Sequence, residues 1–148
     1  MMKIHKSALV PYSAQQMFDL VADVESYPQF LPGCTGARIA QRSEHEITAS
    51  VDLAKAGVRQ SFTTRNRMHP HERIDMHLVD GPFKRLHGHW SFDPVGTNGR
   101  GSKVALHLEF EFSNRLLAMT FGKAFQSIAN TMIDAFCARA AQLYGHGA

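Results

Sequence analysis

Two periodicities, one after the other, constrain this chain more than any other feature. From Ala37 to Ser113 apolar and polar residues alternate, and the thirty residues that follow carry no proline and place apolar side chains at steps of three and four. The first period belongs to strands with one buried and one wet face, the second to an amphipathic helix. The alternation is clearest at Ile47, Ala49, Val51 and Leu53, set among Glu46, Thr48, Ser50 and Asp52, and again at Val104, Leu106, Leu108, Phe110 and Phe112. Residues 58–68, 72–80 and 83–93 read as further strands, divided by His69-Pro70-His71 and Asp80-Gly81-Pro82, and Gly96–Gly101 closes the last hairpin. Ser113 or Asn114 caps the final helix, whose stripe runs Leu117, Phe121, Phe125, Ile128, Met132, Phe136 and Leu143.

The front of the chain reads differently. Residues 3–10 form a strand; Pro11 and Ser13 then open a helix, with Gln16 completing a capping box. Tyr27-Pro28 breaks it, and Gln29–Gly33 reads as a second short helix. A twisted antiparallel sheet of seven strands curls, and a helix with a broad apolar face fills its concave side. The expected fold is therefore α+β: a curved seven-stranded antiparallel sheet wrapped around a long C-terminal helix, with two short helices after the first strand. That arrangement is a helix-grip, and residues 1–148 make one domain, large enough for a core without staples. Curled sheet and straight helix do not match along their whole length, so a pocket is expected between them.

Charge and cysteine content say less. Sixteen Lys and Arg against thirteen Asp and Glu leave +3, with nine histidines, which mildly favours anionic partners. Cys34 and Cys137 lack paired spacing, and neither a signal peptide nor a membrane-length apolar run is visible, so a cytoplasmic setting is expected.

The strand at 58–68 has two unlike faces. Arg59, Arg65 and Arg67 point outward with Ser61 and Thr63, a candidate anion-binding face that Asp52, Glu46 and Asp75 on flanking strands are placed to neutralise. Gln60, Phe62, Thr64 and Asn66 point inward, where polar groups without partners cost roughly 1–3 kcal/mol and so call for water or a ligand. Trp90, Phe92, Phe110, Phe112, Phe121 and Phe125 complete the candidate cavity lining. No acid–base pair, nucleophile with a histidine, or metal set emerges. His87 and His89 share a face but lack a third ligand, and Gly96–Gly101 is followed by a strand where a phosphate loop needs a helix. The chain reads as a binder with no required cofactor.

Several segments together resemble a known family: Asp23-Val24-Glu25-Ser26-Tyr27-Pro28-Gln29-Phe30-Leu31-Pro32, Ala54-Lys55-Ala56-Gly57, Phe62–Asn66, Leu78–Lys84, Gly88-His89-Trp90-Ser91-Phe92 and Glu109–Phe112. They resemble the START-like coenzyme Q-binding family, also described as oligoketide cyclase and lipid transport proteins, and most nearly its bacterial ribosome-association toxin branch. The resemblance implies the helix-grip fold and a bound hydrophobic ligand such as ubiquinone or a similar prenyl lipid, carried in support of respiration. For the toxin branch it implies a contact with the large ribosomal subunit; peripheral membrane contact and polyketide cyclisation are further readings. The family usually carries Trp between Pro32 and the cysteine, where this sequence has Gly33.

Overall fold

The structure, a computed structural model, describes residues 2–145. Strand β1 (Met2–Val10) leads into helix α1 (Ala14–Ala22) through the expected capping box. The Ser13 hydroxyl accepts from the Gln16 amide at 3.1 Å, and the Gln16 side chain accepts from the Ser13 amide at 2.9 Å. The second short helix is displaced from its expected place: a 3-10 helix spans Val24–Gln29, with Pro28 inside it. In so short a segment proline removes a single donor, and its fixed φ suits the turn, so it does not act as a breaker. The Tyr27 carbonyl then accepts from the amides of both Phe30 and Leu31, which ends the turn.

Six strands follow: β2 (Cys34–Arg42), β3 (Glu46–Lys55), β4 (Val58–His69), β5 (Arg73–Asp80), β6 (Phe83–Val95) and β7 (Gly101–Phe112). The order across the sheet is β1-β7-β6-β5-β4-β3-β2, antiparallel throughout, so a six-strand meander receives β1 along its last strand. Strand β2 begins at Cys34, ahead of the visible alternation, because its pairing with β3 slips at Cys34–Gly36 and again at Ile39–Gln41. Such bulges, with others at Thr63–Thr64 and Phe83–Arg85, bend the strands that carry them. Gly88 allows a close approach on the inner face, since a Cβ there would come within 2.2 Å of the His107 carbonyl oxygen.

Helix α2 (Arg115–Tyr144) crosses the concave face, and Asn114 is its cap, accepting from the Leu117 amide at 2.9 Å. The core lies between sheet and helix. At one end Phe18 of α1 packs edge-on against Phe92, with centroids 5.5 Å apart. At the other, Phe83, Phe110, Phe112, Phe121 and Phe125 form a cluster whose ring pairs lie 4.9–6.4 Å apart. Between these two aromatic plugs the space is not filled.

Candidate ligand cavity and outer sheet face

That unfilled middle is a cavity of about 90 Å³ with an open mouth, short of the ~300–1,000 Å³ usual for small-molecule sites, so a ligand larger than a few atoms must also occupy the mouth or spread the walls. It exists because the inward residues there are short. Ala49 and Val51 on β3 and Ala129 on α2 stand opposite one another where longer side chains would have met. Phe62, Leu86, Trp90, Phe125, Ile128 and Met132 supply most of the remaining wall.

Two polar side chains face this apolar space. Thr64 and Asn66 are both buried, and the Thr64 hydroxyl donates to the Asn66 carbonyl oxygen at 2.8 Å. Among the described residues no acceptor pairs with the Asn66 amide donors, and the amide is open enough for water or an occupant of the cavity to take them. Asn66 also borders a smaller adjoining pocket walled by Val21, Ile47, Met68 and Ile74. Tyr27 presents its ring, since its hydroxyl donates to the Val21 carbonyl. Burial above all, then the nearby Cys34 and Asp23, pushes the Tyr27 phenol far above its ordinary range, so its proton stays put. Among the described residues lining the cavity there is no Asp, Glu, His, Lys, Arg or Cys.

Of the expected lining residues, Phe62, Thr64, Asn66, Trp90 and Phe125 are brought together around the cavity. Five are not. Phe92, Phe110, Phe112 and Phe121 are buried in the aromatic plugs at either end, because large rings fill a concave face where smaller residues leave it hollow. Gln60 lies on the inner side of β4, half-buried, outside the set of residues that wall the cavity. Val24, Tyr27 and Leu31, from the segment after α1, were not anticipated as lining. Neither were Met76, Leu106, Leu108 and the α2 residues Ile128, Ala129 and Met132. The small inward residues Ala49 and Val51 are the sequence signal that would have located the hollow.

Gly33 has a structural reason to be glycine here. Its φ is +85°, and an added Cβ would meet Ile128 Cδ1 at 2.7 Å and Cγ1 at 2.9 Å. The glycine thus seats a cavity-lining isoleucine of α2.

On the convex side Arg59, Arg65 and Arg67 are all exposed, as the alternation requires. Their expected neutralisation is incomplete. Glu46 reaches Arg65 at 3.4 Å, but Asp52 is taken by Arg38 at 2.9 Å and by the Ser61 hydroxyl at 2.6 Å, and Asp75 by Arg73 at 2.7 Å and His69 at 3.0 Å. Among the described residues Arg59 and Arg67 form no ion pair. The Ser61 hydrogen bond, with Arg38 beside it, holds the Asp52 carboxyl below the usual carboxylate range.

The sequence profile of the family described as polyketide cyclase / dehydrase and lipid transport matches residues 10–137. The chain belongs to this family. Among curated relatives, the ribosome association toxin RatA of Escherichia coli K12 is 49% identical over 144 residues, covering 97% of this chain and 90% of that protein. The mitochondrial coenzyme Q-binding protein COQ10 homolog B of Xenopus laevis is 27% identical, covering 95% of this chain and 58% of its own length. Among solved structures, a START superfamily protein from Mycobacterium smegmatis is 23% identical with a TM-score of 0.78, covering 95% of this chain and 98% of its own. The Streptomyces aromatase/cyclase Zhui superimposes at a TM-score of 0.81 with 13% identity, covering 98% of both chains. These two likenesses establish the helix-grip architecture. No helix among the described residues is long and apolar enough to cross a membrane.

Proposed function

We propose that this protein is a non-enzymatic carrier that shelters a ubiquinone-like prenyl lipid between its sheet and α2, requiring no cofactor to do so. The observation that carries this reading is the cavity's composition: apolar walls with one polar pair, Thr64 and Asn66, whose free amide donors suit a quinone carbonyl. Each buried five-carbon prenyl unit contributes about 4 kcal/mol at ~0.8 kcal/mol per carbon, before ordering costs. A cyclase or aromatase needs an acid or base at its reacting carbon. The lining offers only Thr64, Asn66 and a Tyr27 phenol already committed to Val21, which favours carriage over catalysis. The name of the COQ10 relative agrees with this reading. Two free thiols accord with a cytoplasmic setting.

Native mass spectrometry of the purified protein, with solvent extraction of whatever accompanies it, is the direct test. A prenyl quinone leaving with the chain supports carriage. A chain that stays empty and fails to bind short-chain ubiquinone refutes it.

A second reading is docking on the large ribosomal subunit, so as to block subunit association. It is supported by the unpaired Arg59 and Arg67 on the outer face and by the name of the RatA relative. Co-sedimentation with purified large subunits, lost in an Arg59→Gln/Arg67→Gln variant, tests it.

A further inference from the structure

The nine histidines of the chain are not scattered. Six of them, His5, His69, His77, His87, His89 and His107, lie on the convex face of the sheet. The antiparallel register lines them up across the strands. One row runs from His5 on β1 to His107 on β7, His89 on β6, Asp75 on β5 and Arg67 on β4. The next row runs Lys3, Glu109, His87, His77, Arg65 in the same strand order. Within the first row the His5 and His107 rings lie 5.8 Å apart and the His89 and His107 rings 5.5 Å apart. Both helices pack on the opposite face, so nothing among the described residues covers these rows.

We infer that this face is a proton-gated docking surface for the phosphate backbone of RNA, its affinity rising as the histidine rows take up charge. The inference rests on the ribosomal reading of the outer face and adds to it a partner chemistry and a regulation. Three carboxylates, Glu109, Asp75 and Glu46, stand in, beside or at the end of the rows, along with four permanent cations, Lys3, Arg65, Arg67 and Arg73, of which Arg65 is paired with Glu46 and Arg73 with Asp75. Glu109 is shared by Lys3 at 3.8 Å, His107 at 3.1 Å and His87 at 3.5 Å, so it cannot offset all of them at once. Falling pH adds positive charge in rows about 4.8 Å apart from strand to strand, on a surface that already holds two arginines without a carboxylate. Partial burial, then Arg73 and His107, hold the His89 pKa below the usual imidazole value.

Two observations select RNA as the occupant. No three of these side chains converge on a point where an ion would be held, so the rows offer distributed charge to an extended polyanion. The rows themselves hold no exposed aromatic or large aliphatic side chain, and the exposed Leu9 and Val79 on the same strands stand outside them as isolated residues, not as the apolar cluster that anchors a protein in a bilayer. A convex polar sheet suits the wide, shallow minor groove of A-form RNA, which is recognised through phosphates and 2′-hydroxyls.

The test measures binding of a 16-base-pair RNA duplex to the full chain at pH 7.5 and pH 6.0 over a series of salt concentrations. Each phosphate neutralised steepens the dependence of log K on log salt. The expected result is an affinity gain of tenfold or more at pH 6.0 with a visibly steeper slope. A His5→Gln/His89→Gln/His107→Gln variant loses most of the gain between pH 7.5 and pH 6.0; a His77→Gln/His87→Gln variant, in the second row, loses part of it. Arg59→Gln/Arg67→Gln weakens binding at both pH values. Equal slopes at both pH values, or an undiminished gain in both histidine variants, overturns the proposal. So does an equal gain on phosphatidylglycerol vesicles with none on the duplex. Co-sedimentation with large subunits, run alongside, separates the two readings. Subunit binding that ignores pH, together with an ungated duplex, sinks the gate and leaves ribosomal docking standing. A gated duplex without subunit binding at either pH supports the gate and ends the ribosomal reading.

Discussion

Asn66 and Gly33 show how single side chains set the cavity's character. The Asn66 amide is half satisfied by Thr64, and its remaining donors face apolar space, so Asn66→Leu should cost a quinone ligand about 1–2 kcal/mol, roughly 5- to 30-fold in Kd. Affinity for a plain hydrocarbon chain of equal length should stay nearly unaltered; titration of Trp90 fluorescence with both ligands reads the difference, Trp90 being the chain's one tryptophan and part of the lining. At Gly33 the positive φ and the short path to Ile128 act together. Gly33→Ala should destabilise the fold by about 1–3 kcal/mol, measured by urea unfolding. Residue identity alone did not make the left-handed backbone at Gly33 visible, because it depends on where a helix almost a hundred positions later comes to rest.

At the scale of elements, the strands and the long helix were legible because their periods are enforced by burial on one face. The alternation located β3, β4 and β7 nearly to the residue. The 3-10 helix was misplaced because a proline in a segment of two turns carries little penalty, so the local breaker rule had nothing to act on. The site was legible only in part, for a related reason. Inward aromatics are easy to see, yet Phe110, Phe112 and Phe121 close one end of the concave face, and the hollow lies beside Ala49 and Val51. Phe125 belongs to both regions, touching the ring cluster and the cavity. Phe125→Ala should therefore cost about 3–5 kcal/mol of stability as well as ligand affinity. Phe125→Leu should keep the fold and still weaken ligand binding, a separation that thermal unfolding beside fluorescence titration resolves. The outer edge of the sheet adds a pH dependence. Asp52, its carboxyl held low by Ser61 and Arg38, contributes stability that is present above the unfolded-state pKa near 4 and lost as pH falls through the lower folded value. Asp52→Asn should flatten the acid limb of the stability curve below about pH 4 while changing stability at pH 7 by about 1 kcal/mol or less.

Taken as one body, the molecule has its cavity in the same space that its core occupies, so the proposed carriage would link binding to folding. A short-chain ubiquinone at a hundred times its Kd should add about 2.7 kcal/mol to the stability of the chain. For a chain of this size that corresponds to a rise in melting temperature of about 5–11 °C, read by differential scanning fluorimetry or calorimetry. The order of the elements carries a further consequence, one of timing. The helix that covers the concave face follows all seven strands in the chain. At about 5–20 residues per second, its thirty residues take a few seconds to synthesise. During that interval the strands already made hold an open apolar trough beside the ribosome that is making them. On the proposed carriage, a lipid that meets the trough in that interval would be enclosed as the last element arrives.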